Sequence, residues 1–298
     1  MTEISTAGDE PDLSPSTDEE DARNSTSQTR KSVETSAAAG AEEARNSTRP
    51  TRKPPIISLA MLRRAIGDKI DSLDVNEVTR RVHEGVLWKE PKKQGEKDQP
   101  YTHKYWVDKG LNKSCLMVLA KALQIIWSDW SEYWNWPEEK EPSYLGEELL
   151  PVAKLLKVCW LDIKGKCKTI MLSPRTMYEV AIVVKMSSEN YGWETPVRLS
   201  LELPDGNKQG RMEKLDRLEK EKWIHISIGK FETTPKTVGE TSFSLTQTDG
   251  CWKSGLLVKG VVFTPATEDN QPKPWLKVFL SVIFLWMSMY SRNGASPN

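Results

Sequence analysis

Apolar positions along this chain follow two spacings, one helical and one typical of strands. Within residues 58–88, apolar side chains recur at three- and four-residue intervals, at Leu59, Leu62, Ile66, Ile70 and Leu73. Asp74, with Glu77 three residues later, is typical of a helix N-terminus and predicts a second helix through Val86. We expect two short amphipathic helices that pack on a domain, pair with a partner or form a small dimerising hairpin.

From about Tyr101 the apolar positions alternate with polar ones. The predicted strands are residues 178–186, 197–203, 223–228, 241–245 and 256–263. Polar turns such as Pro204-Asp205-Gly206 separate them. Several short strands joined by polar turns indicate an antiparallel β-sandwich. Residues 115–126 and 145–156 are the helix candidates in this region, and 115–126 fits a buried strand equally well.

Residues 1–55 contain no Phe, Trp or Tyr and are rich in Ser, Thr, Glu and Ala. Such a composition cannot bury enough apolar surface to offset the entropy of ordering, so we predict a disordered tail. A short repeat, residues 22–31 and again 44–53, favours a duplicated solvated linker over a phosphorylatable or basic targeting tail. We expect the tail to be followed by a helical segment and linker, 56–100, and a domain, 101–266.

Residues 267–298 form a C-terminal tail that is nearly all apolar from Trp275 to Tyr290. The stretch from Val278 to Tyr290 is 13 residues, short of the roughly 18 to 20 that a membrane helix needs. We therefore favour an extra element docked on the domain or used in self-association, and a membrane tail anchor is the alternative.

The composition limits which partners and which kinds of site the chain is expected to have. The 298 residues have a formal net charge of zero, which does not favour bulk attraction to nucleic acid or membranes. The four cysteines form no C-x-x-C pair, and no apolar stretch follows Met1, so we expect a reducing, cytoplasmic or nuclear location. The three histidines are scattered and no carboxylate pair stands out, so no catalytic residue, metal site or cofactor is predicted.

Four tryptophans lie within ten residues, at Trp127, Trp130, Trp134 and Trp136. Indoles packed this densely form either a core corner or a flat platform, and sugars suit a platform because they have an apolar face and a polar rim. Trp127 and Trp134 are seven residues apart and would face opposite sides of one strand, so a turn must intervene if both line one site. The tryptophans in the alternating segments are expected in the core: Trp160, Trp223 and Trp252.

Six blocks occur in order: HKYWVD at 103–108, IWSD to YWNW across 126–136, CWLDIKGK at 159–166, LSPRTMYEV at 172–180, YGW at 191–193 and WKSGLLVKG at 252–260. Together they resemble the plant phloem protein 2 family, the Nictaba-type lectins. The resemblance covers roughly residues 101–265 and implies a jelly-roll-like antiparallel β-sandwich. It also implies non-catalytic binding of N-acetylglucosamine oligomers or N-glycan cores, in defence, stress or phloem-related roles.

The resemblance assigns site residues as well. The two family tryptophans tied to sugar binding correspond to Trp127 and Trp134, with Trp136 adjacent, and a family glutamate corresponds to Glu240. Asn135 and Glu240 are expected to meet sugar hydroxyls. A second acidic position of the family falls on Gln247, where this chain departs from the pattern.

Two other classes compete with the lectin. An RNA-binding protein would combine the aromatic residues with nearby basic ones, for which Lys104, Lys109 and Lys113 are the candidates. A protein-interaction module would use the helices of residues 58–88 to form a homo-oligomer. Competition by a chitin oligomer separates the lectin from the RNA binder.

Overall fold

The computed structural model describes residues 53–90 and 99–266. Helix α1 (Ile57–Ile66) leads through a 3-10 turn into helix α2 (Val75–Glu84). The Asp74 carboxylate accepts the Glu77 N–H at 2.8 Å, which confirms the predicted cap. Leu62 and Val82 are fully buried in the domain core, and the Ser58 hydroxyl lies 2.9 Å from the Tyr105 hydroxyl. The helices therefore pack on the domain, as one of the predicted outcomes.

The described residues contain fifteen strands: β1 (Val86–Trp88), β2 (His103–Val107), β3 (Ser114–Leu119), β4 (Gln124–Ile125), β5 (Trp134–Asn135), β6 (Glu138–Ser143), β7 (Gly146–Pro151), β8 (Ala153–Leu155), β9 (Leu161–Lys168), β10 (Met177–Tyr191), β11 (Val197–Glu202), β12 (Lys208–Glu213), β13 (Trp223–Glu232), β14 (Glu240–Gln247) and β15 (Ser254–Pro265). All their ladders are antiparallel.

The strands form two main sheets. The larger sheet has eight strands in the order β1-β2-β3-β15-β10-β13, with β8 added to β15 and β5 to β8. The smaller sheet has the order β12-β11-β14-β9-β4, and β6 and β7 form a separate hairpin. Side chains alternate along β9, where Leu161 and Ile163 face the core and Lys164 faces solvent. The predicted mostly β, jelly-roll-like sandwich is confirmed.

Two predictions of local secondary structure differ from the structure. Residues 145–156 are not a helix, because they supply strands β7 and β8, and 115–119 belongs to buried strand β3. Strand β1 follows α2 directly, where the helical pattern was expected to continue to 88. Its three residues are all buried, and pairing with β2 satisfies their backbone, so tertiary contacts override the helical spacing.

Five loops connect the two sheets at one end of the sandwich. Residues 126–133 join β4 to β5, 156–160 join β8 to β9, 192–196 join β10 to β11, and 248–253 join β14 to β15. We call these four the crossing loops and their side of the molecule the crossing-loop end. The fifth loop, residues 214–222, joins β12 to β13. The opposite side, where β14 begins, is the Glu240 end.

Several predictions concern residues outside the described ranges. The disordered tail of residues 1–55 falls there except for 53–55, as does the apolar segment 275–290. Within the described ranges, no helix combines the length and apolar character required to cross a membrane.

Candidate functional site

The tryptophan-rich crossing loop 126–133 is held at both ends by one neighbouring segment. The Ile126 N–H donates to the Asp162 carbonyl at 3.0 Å, and the Leu156 N–H donates to the Tyr133 carbonyl at 2.8 Å. The turn expected if Trp127 and Trp134 line one site lies in this loop, since residues 126–129 form a turn. The segment 156–162 therefore sets where the loop begins and where it ends.

Two indoles of the cluster support this loop from within the domain. The Trp134 indole N–H donates to the Ile126 carbonyl at 3.1 Å, and the Trp136 indole N–H donates to the Ser128 carbonyl at 3.3 Å. Trp134 is 1% exposed, so its ring has no face open to a ligand. Trp136 is half-buried, and the Lys121 ammonium lies 3.2 Å from its ring centroid, a cation–π contact. Both residues shape the loop.

The other two indoles of the cluster point outward. Trp127 is 39% exposed and Trp130 is 62% exposed. Trp127 also has φ 58°, in the left-handed region, which costs a bulky residue about 1–2 kcal/mol. Its ring is tilted against Tyr133 with centroids 5.5 Å apart. Strain held at an exposed tryptophan is typical of a binding residue.

A buried lysine joins two of the crossing loops. Lys253 is fully buried, and its ammonium donates to the Cys251 carbonyl at 2.5 Å and to the Cys159 carbonyl at 3.3 Å. It also lies 3.4 Å from the Asp249 carboxylate. Burial alone would raise the pKa of Asp249, but hydrogen bonds from the Cys251 N–H and the Thr195 side chain, together with Lys253, lower it. The loops 156–160 and 248–253 are thus fixed to one another.

Gln247 and Gly192 attach the loop 192–196 to the same structure. The Gln247 amide donates to the Thr195 carbonyl at 2.9 Å and to Asp249 at 3.2 Å. An ionised carboxylate has no hydrogen to donate, so the departure from the family's acidic residue serves this contact. Gly192 has φ 79°, and an added Cβ would lie 2.0 Å from the Trp252 carbonyl oxygen, so only glycine fits.

The predicted core positions of Trp160 and Trp252 are wrong. Both lie on crossing loops outside the alternating strands, and they are 47% and 52% exposed. Trp223 is half-buried, with the ammonium groups of Lys185 and Lys259 4.7 and 4.9 Å from its ring centroid. Sequence reasoning missed Trp160 and Trp252 because a strand pattern next to them was extended into the loops.

Of the other predicted site residues, Asn135 is exposed beside the loop 126–133 and Glu240 is not nearby. Glu240 pairs with Lys168 at the far end of β9, whereas Ile126 meets β9 at Asp162. Six residues of strand separate these points, about 20 Å. Glu240 is exposed, forms an ion pair of 2.7 Å with Lys166, and lines a cavity of about 250 Å³ with residues of the helical segment.

The basic residues proposed for RNA binding are also separate from the tryptophans. Lys104 is buried and pairs with Glu141 at 2.6 Å, and the turn carrying Lys109 and Lys113 lies at the Glu240 end. The crossing loops carry four acidic and two basic residues: Asp129, Glu132, Glu194 and Asp249 against Lys157 and Lys253. With the three acidic and four basic residues of loop 214–222, the net charge of this end is −1, so no basic excess favours a phosphate backbone. In residues 53–90 and 99–266, no three metal-binding side chains are grouped.

The described residues form an antiparallel β-sandwich that exposes tryptophans at one end. Comparison with known proteins identifies the family. The family model described as Phloem protein 2 matches residues 113–265. Phloem protein 2-like A1 of Arabidopsis thaliana is 40% identical over 209 residues, which are 69% of this chain and 79% of the relative.

Two further relatives match at similar identity. A protein of Luffa acutangula named Lectin is 38% identical over 165 residues, covering 55% of this chain and 77% of that protein. Phloem protein 2-like A5 of Arabidopsis thaliana is 39% identical over 170 residues, 55% of this chain and 41% of the relative. The chain belongs to the phloem protein 2 family.

Proposed function

We propose that the domain of residues 101–266 is a lectin that binds N-acetylglucosamine oligomers or N-glycan cores without turning them over. The lectin of Luffa among its relatives supports the class. The observation that carries the proposal is the crossing loop 126–133, which exposes Trp127 in a strained conformation and Trp130 beside it. A cytoplasmic or nuclear location and a defence, stress or phloem-related role are part of the same proposal.

The two exposed indoles supply what a sugar ring needs on its apolar side. The C–H face of a sugar stacks on an indole, and its hydroxyls reach polar groups at the rim. Asn135 and Asp129 are exposed beside the indoles and fit the rim role. A shallow site of this kind binds in the micromolar range or more weakly, about 8 kcal/mol or less.

Within this proposal the four tryptophans have two different roles. Trp127 and Trp130 contact the sugar, while Trp134 and Trp136 act through the loop whose carbonyls they hold. Glu240 belongs to a separate region, because about 20 Å of strand lies between it and the loop. The family-based assignment of Trp134 and Glu240 as sugar contacts is thereby revised in this proposal and needs its own test.

RNA binding is the competing function for an exposed aromatic surface. The absence of a basic excess at the crossing-loop end, within the described residues, and the remote position of Lys109 and Lys113 support the sugar instead. A chitin oligomer that competes with the bound ligand supports the lectin, and retention of RNA in the presence of excess oligomer supports the alternative.

The test is a glycan array followed by calorimetric titration of the full-length protein with chitotriose. Trp130→Ala should lose binding by about tenfold or more while the circular dichroism spectrum is retained. The matched control is Ile170→Ala, since Ile170 is 59% exposed and lies at the Glu240 end. An array with no signal for chitin oligomers or N-glycans, obtained with folded protein, rules out the proposed function.

A further inference from the structure

We infer that Trp160, Trp252 and Tyr191 extend the surface of Trp127 and Trp130 into one strip that contacts several successive units of an oligosaccharide. This inference rests on the proposed function and deepens it. It adds three contact residues and makes ligand length a determinant of affinity.

The distribution of exposed aromatic side chains is the first observation. Five aromatic residues are exposed within the described ranges, and all five lie on the crossing loops or at the strand end that adjoins them: Trp127, Trp130, Trp160, Tyr191 and Trp252. Elsewhere on the described surface the large exposed apolar residues are aliphatic. Exposed rings gathered on one end of a soluble domain mark a binding surface.

The second observation is that the loops carrying these rings are neighbours through direct backbone contacts. Trp160 lies in the segment 156–162, which holds both ends of the tryptophan-rich loop. Val158 of that segment exchanges two backbone hydrogen bonds with Lys253, of 3.1 and 2.8 Å, and Lys253 follows Trp252. Tyr191 pairs with Ser254 on the other side of Trp252. The chain segments that carry the rings therefore follow one another across the end of the sandwich.

The third observation is the rigidity of the support. The buried Lys253 ammonium ties the loop of Trp252 to the loop of Trp160 through the carbonyls of Cys251 and Cys159. The Trp193 indole N–H donates to the Ser254 carbonyl at 2.7 Å and fixes the chain beyond Tyr191. Rings on a pre-organised support lose little entropy on binding, which is what a weak, extended sugar site requires.

These features select the ligand class. A single sugar ring covers one or two of the indoles, so the remaining rings gain contacts only from a ligand of several linked units. The rim supplies hydrogen-bond acceptors in the acidic residues Asp129 and Glu194. Acceptors of this kind match the hydroxyl and N-acetyl N–H donors of a neutral amino-sugar oligomer and disfavour an anionic polymer.

The experiment compares chitin oligomers of two and six units by calorimetric titration of full-length protein. Wild type should bind the hexamer about tenfold or more tightly than the dimer. Trp252→Ala and Trp160→Ala should each lose most of that gain and keep the affinity for the dimer. Ile170→Ala should behave as wild type, and circular dichroism should show that all three variants are folded.

The outcomes separate this inference from the proposed function. Equal affinity of wild type for both lengths, or unchanged length dependence in both variants, overturns the inference and leaves the lectin assignment standing. Loss of dimer binding in Trp252→Ala, with the fold retained, also overturns it, because Trp252 would then belong to the primary site. If wild type binds neither oligomer, both this inference and the proposed lectin function are wrong.

Discussion

The two ends of the sandwich use the same residue types in opposite ways. At the crossing-loop end a lysine, Lys253, is fully buried and tryptophans are exposed. At the Glu240 end a tryptophan, Trp88, is buried, and the lysine Lys166 is exposed in an ion pair with Glu240. Exposing indoles and burying an ammonium both cost free energy. The crossing-loop end therefore has the energetic character of a binding site, and the Glu240 end that of an ordinary protein surface.

The largest expected effect is on the free energy of unfolding, and it should distinguish Trp134, which supports the loop, from Trp130, which the loop exposes. Trp134→Ala should lower the free energy of unfolding by about 3–5 kcal/mol, because it empties a buried site and leaves the Ile126 carbonyl without its donor. Trp130→Ala should change it by about 0.5 kcal/mol or less. Urea unfolding measures both. Equal stability losses would show that exposure does not distinguish these roles.

The next largest effect is expected when the buried Lys253 is replaced, and replacement of the exposed Lys166 provides the comparison. Lys253→Met should cost about 3 kcal/mol and weaken sugar binding, since the loop carbonyls lose their common donor and Asp249 loses its partner. Lys166→Met is the matched control, and removing its exposed ion pair should cost about 1 kcal/mol or less. Thermal and urea unfolding of both variants decide the matter. If Lys253→Met unfolds like its control, the buried ammonium does not organise the crossing loops.

The largest pH effect between pH 7 and 5 is expected from His103, which lines the cavity at the Glu240 end. Burial, and then the nearby Arg64, lower the pKa of His103 to about 4, and they outweigh Glu90, whose carboxylate lies 3.7 Å away. The unfolded histidine, with a pKa of 6.5, binds more protons than the folded one, so stability falls as pH drops from about 6.5 to 4. The loss at pH 5 should be about 2 kcal/mol.

His103→Gln should reduce the slope of this part of the stability profile and leave the smaller contribution of His225, whose pKa is also lowered by burial. Sugar affinity should stay level from pH 7 to 5 in the wild type, since the crossing loops carry no histidine. A parallel fall in affinity and stability would mean that the two ends are coupled.

Substitutions of Trp127 test whether its strained backbone conformation is retained because the indole contacts the sugar. Trp127→Gly should raise the free energy of unfolding by up to about 1 kcal/mol, because glycine adopts the left-handed conformation without strain. The same change should weaken chitotriose binding by about tenfold. Trp127→Ala keeps the strain and serves as the control. A glycine variant with intact affinity would argue that the indole makes no sugar contact.

The smallest effect concerns Glu240. Glu240→Gln removes an exposed ion pair and should change stability by about 1 kcal/mol or less, with sugar affinity unchanged. Titration with chitotriose and chitohexaose checks it. Weaker binding of either oligomer would restore Glu240 to the site, as the family resemblance predicts, and would show that the crossing-loop end is incomplete without it.

The sequence by itself determined the class of fold. Alternating residues in β11 and β14 face core and solvent as predicted, and Asp74 caps α2. A turn between Trp127 and Trp134 was expected if both line one site, and it is present although Trp134 is buried. These features depend on local periodicity and on side chains close in the chain, which a single sequence contains. The six blocks of sequence further indicated the family, and the match over residues 113–265 confirms it.

Only the tertiary structure decided which aromatic side chains meet solvent and which charged ones do not. Trp130 and Trp134 are four residues apart and alike in composition, yet one is exposed and the other buried, because the segment 156–162 fixes the loop between them. Lys253 is buried because carbonyls from two loops surround its ammonium, and Glu240 lies apart because β9 spans the sandwich. Burial depends on contacts between segments distant in the chain, and local spacing does not encode those contacts.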